Sequence, residues 1–221
     1  MTNKKFISVL AIPLLFTTIY TATPASAETT PTPSTTTNSE ELAKDQKAVN
    51  KALKIVLEKT NQQIKSGKEN IKVSQYVPEI NQNVSMEFVT KDISTNTQTN
   101  TLQKNTISYA VAKPSGRKAY YGKMNAWGFT HVLRGDFVYG GGKVISATKE
   151  VQNTGLTYTH SSTSSIAKLD PSVWQIQSKS VHKWLGKVGS VTGLGYTSYV
   201  SVEVYGSGTS AVRNASFTTG A

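Results

Sequence analysis

The chain has 221 residues, a formal net charge of +11 and no cysteine. The missing cysteine excludes disulfides, thiol nucleophiles and cysteine-ligated metals. The excess of Lys and Arg points toward anionic partners, by way of the field that the whole chain sets up.

Lys4 and Lys5 precede an apolar stretch over residues 6–19, broken only by Ser8, Pro13, Thr17 and Thr18. Small residues follow, ending Ala25-Ser26-Ala27. This order predicts a signal peptide over residues 1–27, cleaved after Ala27. The apolar run falls short of the roughly 20 residues that a bilayer span needs. Glu28, not Cys, follows the cut, which argues against a lipid anchor. The expectation is a secreted, extracellular protein from a Gram-positive-like host, since disulfide-free exported chains fit such hosts.

Residues 28–38 (ETTPTPSTTTN) offer nothing to bury and read as an extended Pro/Thr linker. Residues 39–93 read as a helical segment with a possible short strand. Thr37 and Asn38 each stand three residues before a glutamate, Glu40 or Glu41, in capping-box spacing. Leu42, Val49, Leu53, Val56 and Ile64 then recur on one helical face. Ser66-Gly67 supplies the stop, which predicts a helix over 39–66. Farther on, Val84, Met86 and Phe88 alternate with Ser85, Glu87 and Val89 as in a strand. Residues 94–105 (STNTQTNTLQKN) lack periodicity and read as a second, polar linker and a domain boundary.

From residue 106 the composition shifts. Fifteen of the sixteen glycines, eight of the ten tyrosines and all three tryptophans lie in 106–221. The pattern predicts strands over 107–112, 118–132, 136–139, 143–151, 156–161, 173–185, 196–205 and 211–218, with Gly140-Gly141-Gly142 as a hairpin turn. The expected fold is mainly β with one long N-terminal helix. Its C-terminal domain, 106–221, is a β-sandwich or irregular barrel of about seven or eight strands. Residues 105–221 hold twelve basic and four acidic residues, against ten and nine in 28–104, so the charge belongs to the β-domain.

Two clusters interleave cations with aromatics, an arrangement that can grip sugar rings and anions. Arg117 and Lys118 stand beside Tyr120 and Tyr121; Lys179, Lys183 and Lys187 surround His182 and Trp184. These eight residues, Arg117, Lys118, Tyr120, Tyr121, Lys179, Lys183, Trp184 and Lys187, are the candidate ligand-binding set. His131, His160 and His182 are not at metal-ligand spacing, there is no H-E-x-x-H, and no metal or cofactor is expected. No G-x-S-x-G is present, and nothing in the context of Asp136, Glu150, Asp170 and Glu203 selects a carboxylate pair. No catalytic residue is nominated.

The function expected is therefore a secreted, non-enzymatic β-module. Its partner would be an anionic wall polymer, a carbohydrate or a membrane surface, with no specific nucleic acid. Two alternatives stand beside it. One is a secreted toxin or antimicrobial protein, with 28–104 as a pro-region and the Ser/Thr-rich stretch 147–168 able to form a membrane hairpin. The other is a hydrolase with an unobvious site, because a Ser–His–Asp triad is set by geometry and not by chain order.

Overall fold

The computed structural model describes residues 35–93, 114–155, 158–184, 187–188, 191–192 and 195–219. The expected signal peptide, the start of the Pro/Thr linker, the polar linker 94–105 and the expected strand 107–112 lie outside the described residues. The fold class follows the expectation: one helix, then two antiparallel sheets facing each other. Helix α1 runs Thr35–Lys65, so the last four residues of the expected linker are helical. It ends as the glycine predicts. Gly67 takes φ +80°, its N–H donates to Ile64 O, and Lys68 N–H donates to Gln63 O. These two bonds satisfy carbonyls that a helix end leaves bare.

Strands β1 (Asn70–Val77), β2 (Gln82–Asp92), β3 (Gly116–Ala126), β4 (Phe129–Gly140), β5 (Lys143–Ala147) and β6 (Glu150–Thr154) form a six-stranded sheet. The sheet is a meander in which β5 and β6 share the far edge of β4, pairing with its two halves in turn. Strands β7 (Tyr158–Asp170), β8 (Val173–Trp184), β11 (Gly195–Tyr205) and β12 (Ser210–Thr219) form a four-stranded sheet ordered β12-β11-β8-β7. The short strands β9 (Lys187–Val188) and β10 (Val191–Thr192) pair with each other.

Strand β2 is in register with β3 from Ser85↔Asn125 to Asp92↔Lys118, so strands from the two sides of 94–105 share one sheet, and residues 35–221 form one compact unit. The sequence leaves open whether the helical segment docks on the β-domain, and in the structure it is part of the sandwich. Its single possible strand is a hairpin, β1 and β2, whose Ile71, Val73, Val77, Val84, Met86 and Phe88 all enter the core. Three strand boundaries also move. The expected strand 118–132 is two strands, because Trp127 (φ +46°) and Gly128 (φ +78°) make a two-residue turn. Residues 143–151 divide into β5 and β6. The strand expected at 156–161 continues through Ser162–Ser165 to the turn where Asp170 accepts bonds from the N–H and hydroxyl of Ser172.

The apolar stripe of α1 packs on β1, β2 and β12, and so spans both sheets. Val49, Ala52, Leu53 and Val56 are buried, with Leu42 and Ile64 packed at the margins. Strand β12 is an edge, and an edge exposes a row of unpaired N–H and C=O groups. Amide side chains of α1 take the place of a neighbouring strand. Asn50 Nδ2 donates to Phe217 O at 2.8 Å, and Phe217 N–H donates back to Asn50 Oδ1 at 3.1 Å. Asn61 makes the same pair with Val212, at 2.7 and 3.1 Å. Gln46 Oε1 accepts from both the N–H and the hydroxyl of Thr219. The spacing is what allows this. Eleven residue steps along the helix rise about 16.5 Å, and the five steps along the strand from Val212 to Phe217 cover about the same distance.

Replacing Asn61 by Leu keeps the helix but leaves the Val212 N–H and C=O without partners. Urea denaturation of N61L is expected to show a loss of about 1–3 kcal/mol, with N50L similar. An unchanged midpoint in both variants would show that water satisfies the β12 edge equally well.

Candidate functional site

Strand alternation separates residues that are neighbours in sequence. On β3, Tyr120 points inward. Its ring is 2 % exposed, and its hydroxyl donates to Thr148 O at 2.7 Å. Burial, with Asp136 nearby, raises its pKa well above the usual phenol value. Arg117 and Tyr121 point outward. Arg117 is paired with Asp136 at 2.7 Å, and this bond holds the Asp136 carboxyl below its ordinary range. Lys118 sits 3.5 Å from Asp92. The strand therefore divides the first cluster. Its phenol lies in the core and its cations face carboxylates.

Two further cations on the outer face of the six-stranded sheet are paired likewise. Arg134 grips Glu150 with two bonds, at 2.6 and 3.1 Å, and Lys123 lies 3.9 Å from Glu87. A shallow depression of about 450 Å³ on this face is lined by Tyr121, Arg134, Asp136, Lys149 and Glu150, charges of both signs.

The four-stranded sheet differs. Its outer face carries two cross-strand rungs, Thr163–Lys179–Tyr199–Ser216 and Ser165–Gln177–Ser201–Asn214. A depression of about 460 Å³ opens over them, and Arg213 also lines it. Glu203 of this face is held 3.5 Å from Arg213 and accepts from Tyr205 Oη at 2.7 Å. Among the described residues, no carboxylate pairs with Lys179 or Lys183, and both side chains are exposed. Two members of the second cluster thus share the outer face of β8. The side chains of Trp184 and Lys187 lie outside the described residues. Tyr199, Arg213, Gln177 and Asn214 were missed, because they come from other strands and only the register joins them.

His182 belongs to the opposite face. It is fully buried, stacked on Phe129 at 4.1 Å, and joined to the other two histidines. His131 of β4 reaches across the sandwich to β8 and β11. Its Nε2 lies 2.8 Å from Ser178 Oγ and 3.2 Å from Ser180 Oγ, and its Nδ1 lies 2.8 Å from Ser198 Oγ. Ser198 Oγ is also 2.8 Å from His182 Nε2, and His182 Nδ1 is 3.0 Å from Nδ1 of half-buried His160 on β7. Neutral imidazoles satisfy this chain with the protons running in either direction. In one, His160 donates to His182, His182 Nε2–H to Ser198, Ser198 to His131 Nδ1, and His131 Nε2–H to Ser178, which donates to Val200 O. In the other, Ser180 donates to His131 Nε2, His131 Nδ1–H to Ser198, Ser198 to His182 Nε2, and His182 Nδ1–H to His160.

Burial first, and the neighbouring imidazole second, lower His131 to about 3 and His182 to about 4. An unfolded imidazole titrates near 6.5. Because the folded values are lower, this contribution to stability is complete above about pH 6.5 and drains as pH falls toward the folded values. The two shifts together are on the order of several kcal/mol, against a typical total of about 5–15. Serine and imidazole in contact form the nucleophile–base pair of hydrolases. Here Ser198 is completely buried, and through His131 the chain links the two sheets.

No family model, curated protein or solved structure matches the chain.

Ser198→Ala removes the hydroxyl that joins the two buried rings. Thermal and urea unfolding at pH 7.5 are expected to show a loss of about 1–3 kcal/mol. Ser216→Ala on the outer rung of the same sheet is expected to change stability by less than about 0.5 kcal/mol.

Proposed function

We propose that the protein is an exported, non-enzymatic β-module that docks on an anionic, hydroxyl-rich surface polymer through the outer face of its four-stranded sheet. The observation that carries the reading is that Lys179 and Lys183, which no carboxylate of the described residues engages, share the outer face of β8 with a depression lined by hydroxyls, amides and the Tyr199 ring. Uncompensated cations attract phosphate or carboxylate groups from a distance. Hydroxyl and amide rungs suit sugar or polyol hydroxyls, and an aromatic ring supplies a flat apolar contact. Export rests on the order of residues 1–27 alone.

The toxin alternative has less support. Residues 147–168 divide between β6 in one sheet and β7 in the other, so they are not a preformed hairpin. The expected pro-region supplies α1, β1 and β2, which carry core residues from Val49 to Phe88.

Sedimentation with purified anionic cell walls, and with the same walls stripped of their acidic polymer, tests the proposal. Binding to intact walls is expected to weaken as salt is raised. It should fall on the order of three- to tenfold in the Lys179→Ala, Lys183→Ala double variant. Tyr199→Ala is expected to weaken binding with little change in the salt dependence. Retention that ignores both salt and the lysines would sink the electrostatic reading.

A further inference from the structure

The two edges of the four-stranded sheet are met differently. The β12 edge is taken up by Gln46, Asn50 and Asn61 of α1. At the other end β7 pairs with β8 alone. Among the described residues, no hydrogen bond from outside the β8 ladder reaches the backbone of residues 159–167. Thr159, Ser161, Ser162, Thr163 and Ser165 of this edge are exposed. We propose that the β7 edge pairs with the same edge of a second copy, antiparallel about Thr163, and so forms a weak two-fold dimer whose four-stranded sheets run on into each other.

The edge carries the marks of both that partner and that register. Residues 161–165 are Ser-Ser-Thr-Ser-Ser, which reads the same in both directions about Thr163. Antiparallel pairing there sets Ser162 opposite the partner's Ser164 and Ser161 opposite the partner's Ser165. Serine and threonine hydroxyls facing across strands hydrogen-bond to one another. The regular β7–β8 ladder runs from Tyr158↔Trp184 to Lys168↔Trp174 before its bulge, and Thr163 is also the middle residue of that stretch. Residues 159–167 contain no Asp, Glu, Lys, Arg, Pro or Gly. The charges and prolines that usually blunt an edge are thus missing from this one, and the register sets no like charges opposite each other.

Pairing closes at two copies. The contact is isologous, and the remaining edge of each sheet, β12, is already covered by α1. The strip is short and polar, well under the roughly 1,000 Å² of a stable interface, so the dimer is weak and concentration-dependent. Lys149, in the link between β5 and β6, guards it by donating to Ser164 Oγ at 3.1 Å. Ser164 is next to the axis, so pairing brings the two Lys149 ammonium groups toward each other, and both copies carry a net positive charge. Salt screens such repulsion. Ionic strength therefore favours the dimer, whereas it weakens docking on an anionic surface. The axis of an antiparallel pair stands perpendicular to the sheet, so both outer faces point the same way. On the docking reading above, on which this one consequence rests, two sets of Lys179 and Lys183 then face one surface, and neighbouring copies on a polymer gain a raised effective concentration.

Sedimentation velocity of the full chain, from about 10 μM to about 1 mM, tests the pairing at low and high salt. A monomer–dimer equilibrium is expected, with more dimer as salt is raised. Lys149→Ala is expected to tighten it about three- to tenfold at low salt. Ser162→Lys sets a cation beside the axis in each copy and is expected to loosen it at least about tenfold. Crosslinking decides the register even if a charged variant does not fold. Because the chain has no cysteine, a single introduced thiol reports its own position. Opposed strand residues stand about 4.5–5.5 Å apart, within disulfide reach. Under mild oxidation Thr163→Cys is expected to link to its copy, and Thr159→Cys, four residues from the axis, is not. Association is read without walls, so a failure of wall docking leaves this result standing, and a protein that binds walls as a monomer overturns the edge pairing alone. A monomer at every concentration and salt, association indifferent to Ser162→Lys, or equal crosslinking at both positions would each overturn the proposal.

Discussion

The sandwich depends on how its open side is closed. A four-stranded sheet ending in β12 has a bare edge, and a six-stranded sheet ending in β1 has another. Helix α1 lies against both. Its apolar stripe covers the core between them, and its amides at Gln46, Asn50 and Asn61 satisfy the backbone of β12. A second strand could pair the edge but could not also fill the gap between the sheets. A helix of plain apolar residues would fill the gap and leave the edge groups dry and unpaired. The amide spacing meets both needs, because three helical turns and five strand residues are nearly the same length. The helix is thus part of the fold, and β1 and β2 join the C-terminal strands in one compact unit.

Within that frame the interior combines unlike halves. Apolar contact holds one, while the other is held by imidazoles and hydroxyls whose bonds must all be made at once. Such a network is stable only while every member keeps its proton role, since a buried polar group without its partner costs about 1–3 kcal/mol. The chain runs from Ser178 and Ser180 at its inner end to His160 at the sheet margin.

The two outer faces divide the charge in a way that the total conceals. On the larger sheet, carboxylates of β2, β4 and β6 pair with Arg117, Lys118, Lys123 and Arg134. On the smaller sheet Glu203 is engaged by Arg213 and Tyr205, and Lys179 and Lys183 are left to solvent. Burial of the Tyr205 ring, and then its hydrogen bond to Glu203, push that phenol up to about 12.

Local chemistry determined much of this in advance. The helix and its stop at Gly67 follow from periodicity and from a residue that tolerates positive φ. The inward set Tyr196, Ser198, Val200, Val202 and Val204 follows from the two-residue period of a strand. The Trp127-Gly128 turn was not legible, because Trp seldom takes the left-handed conformation that it adopts there. The pairing of strands from the two sides of 94–105 was not legible, because the polarity of a segment says nothing of whether the flanking strands pair. The candidate cluster at Arg117–Tyr121 was divided because adjacent residues on a strand face opposite ways, whereas Lys179 and Lys183, an even number apart, stayed together. The composition and the order of residues 1–27 are properties of the chain, and they carry the expectation of export by themselves. Only the tertiary structure brought His131 to His182 and His160, and Tyr199 and Arg213 to Lys179. Contacts of that kind depend on strand register and sheet facing, which are set by the packing of the whole core and not by any one segment.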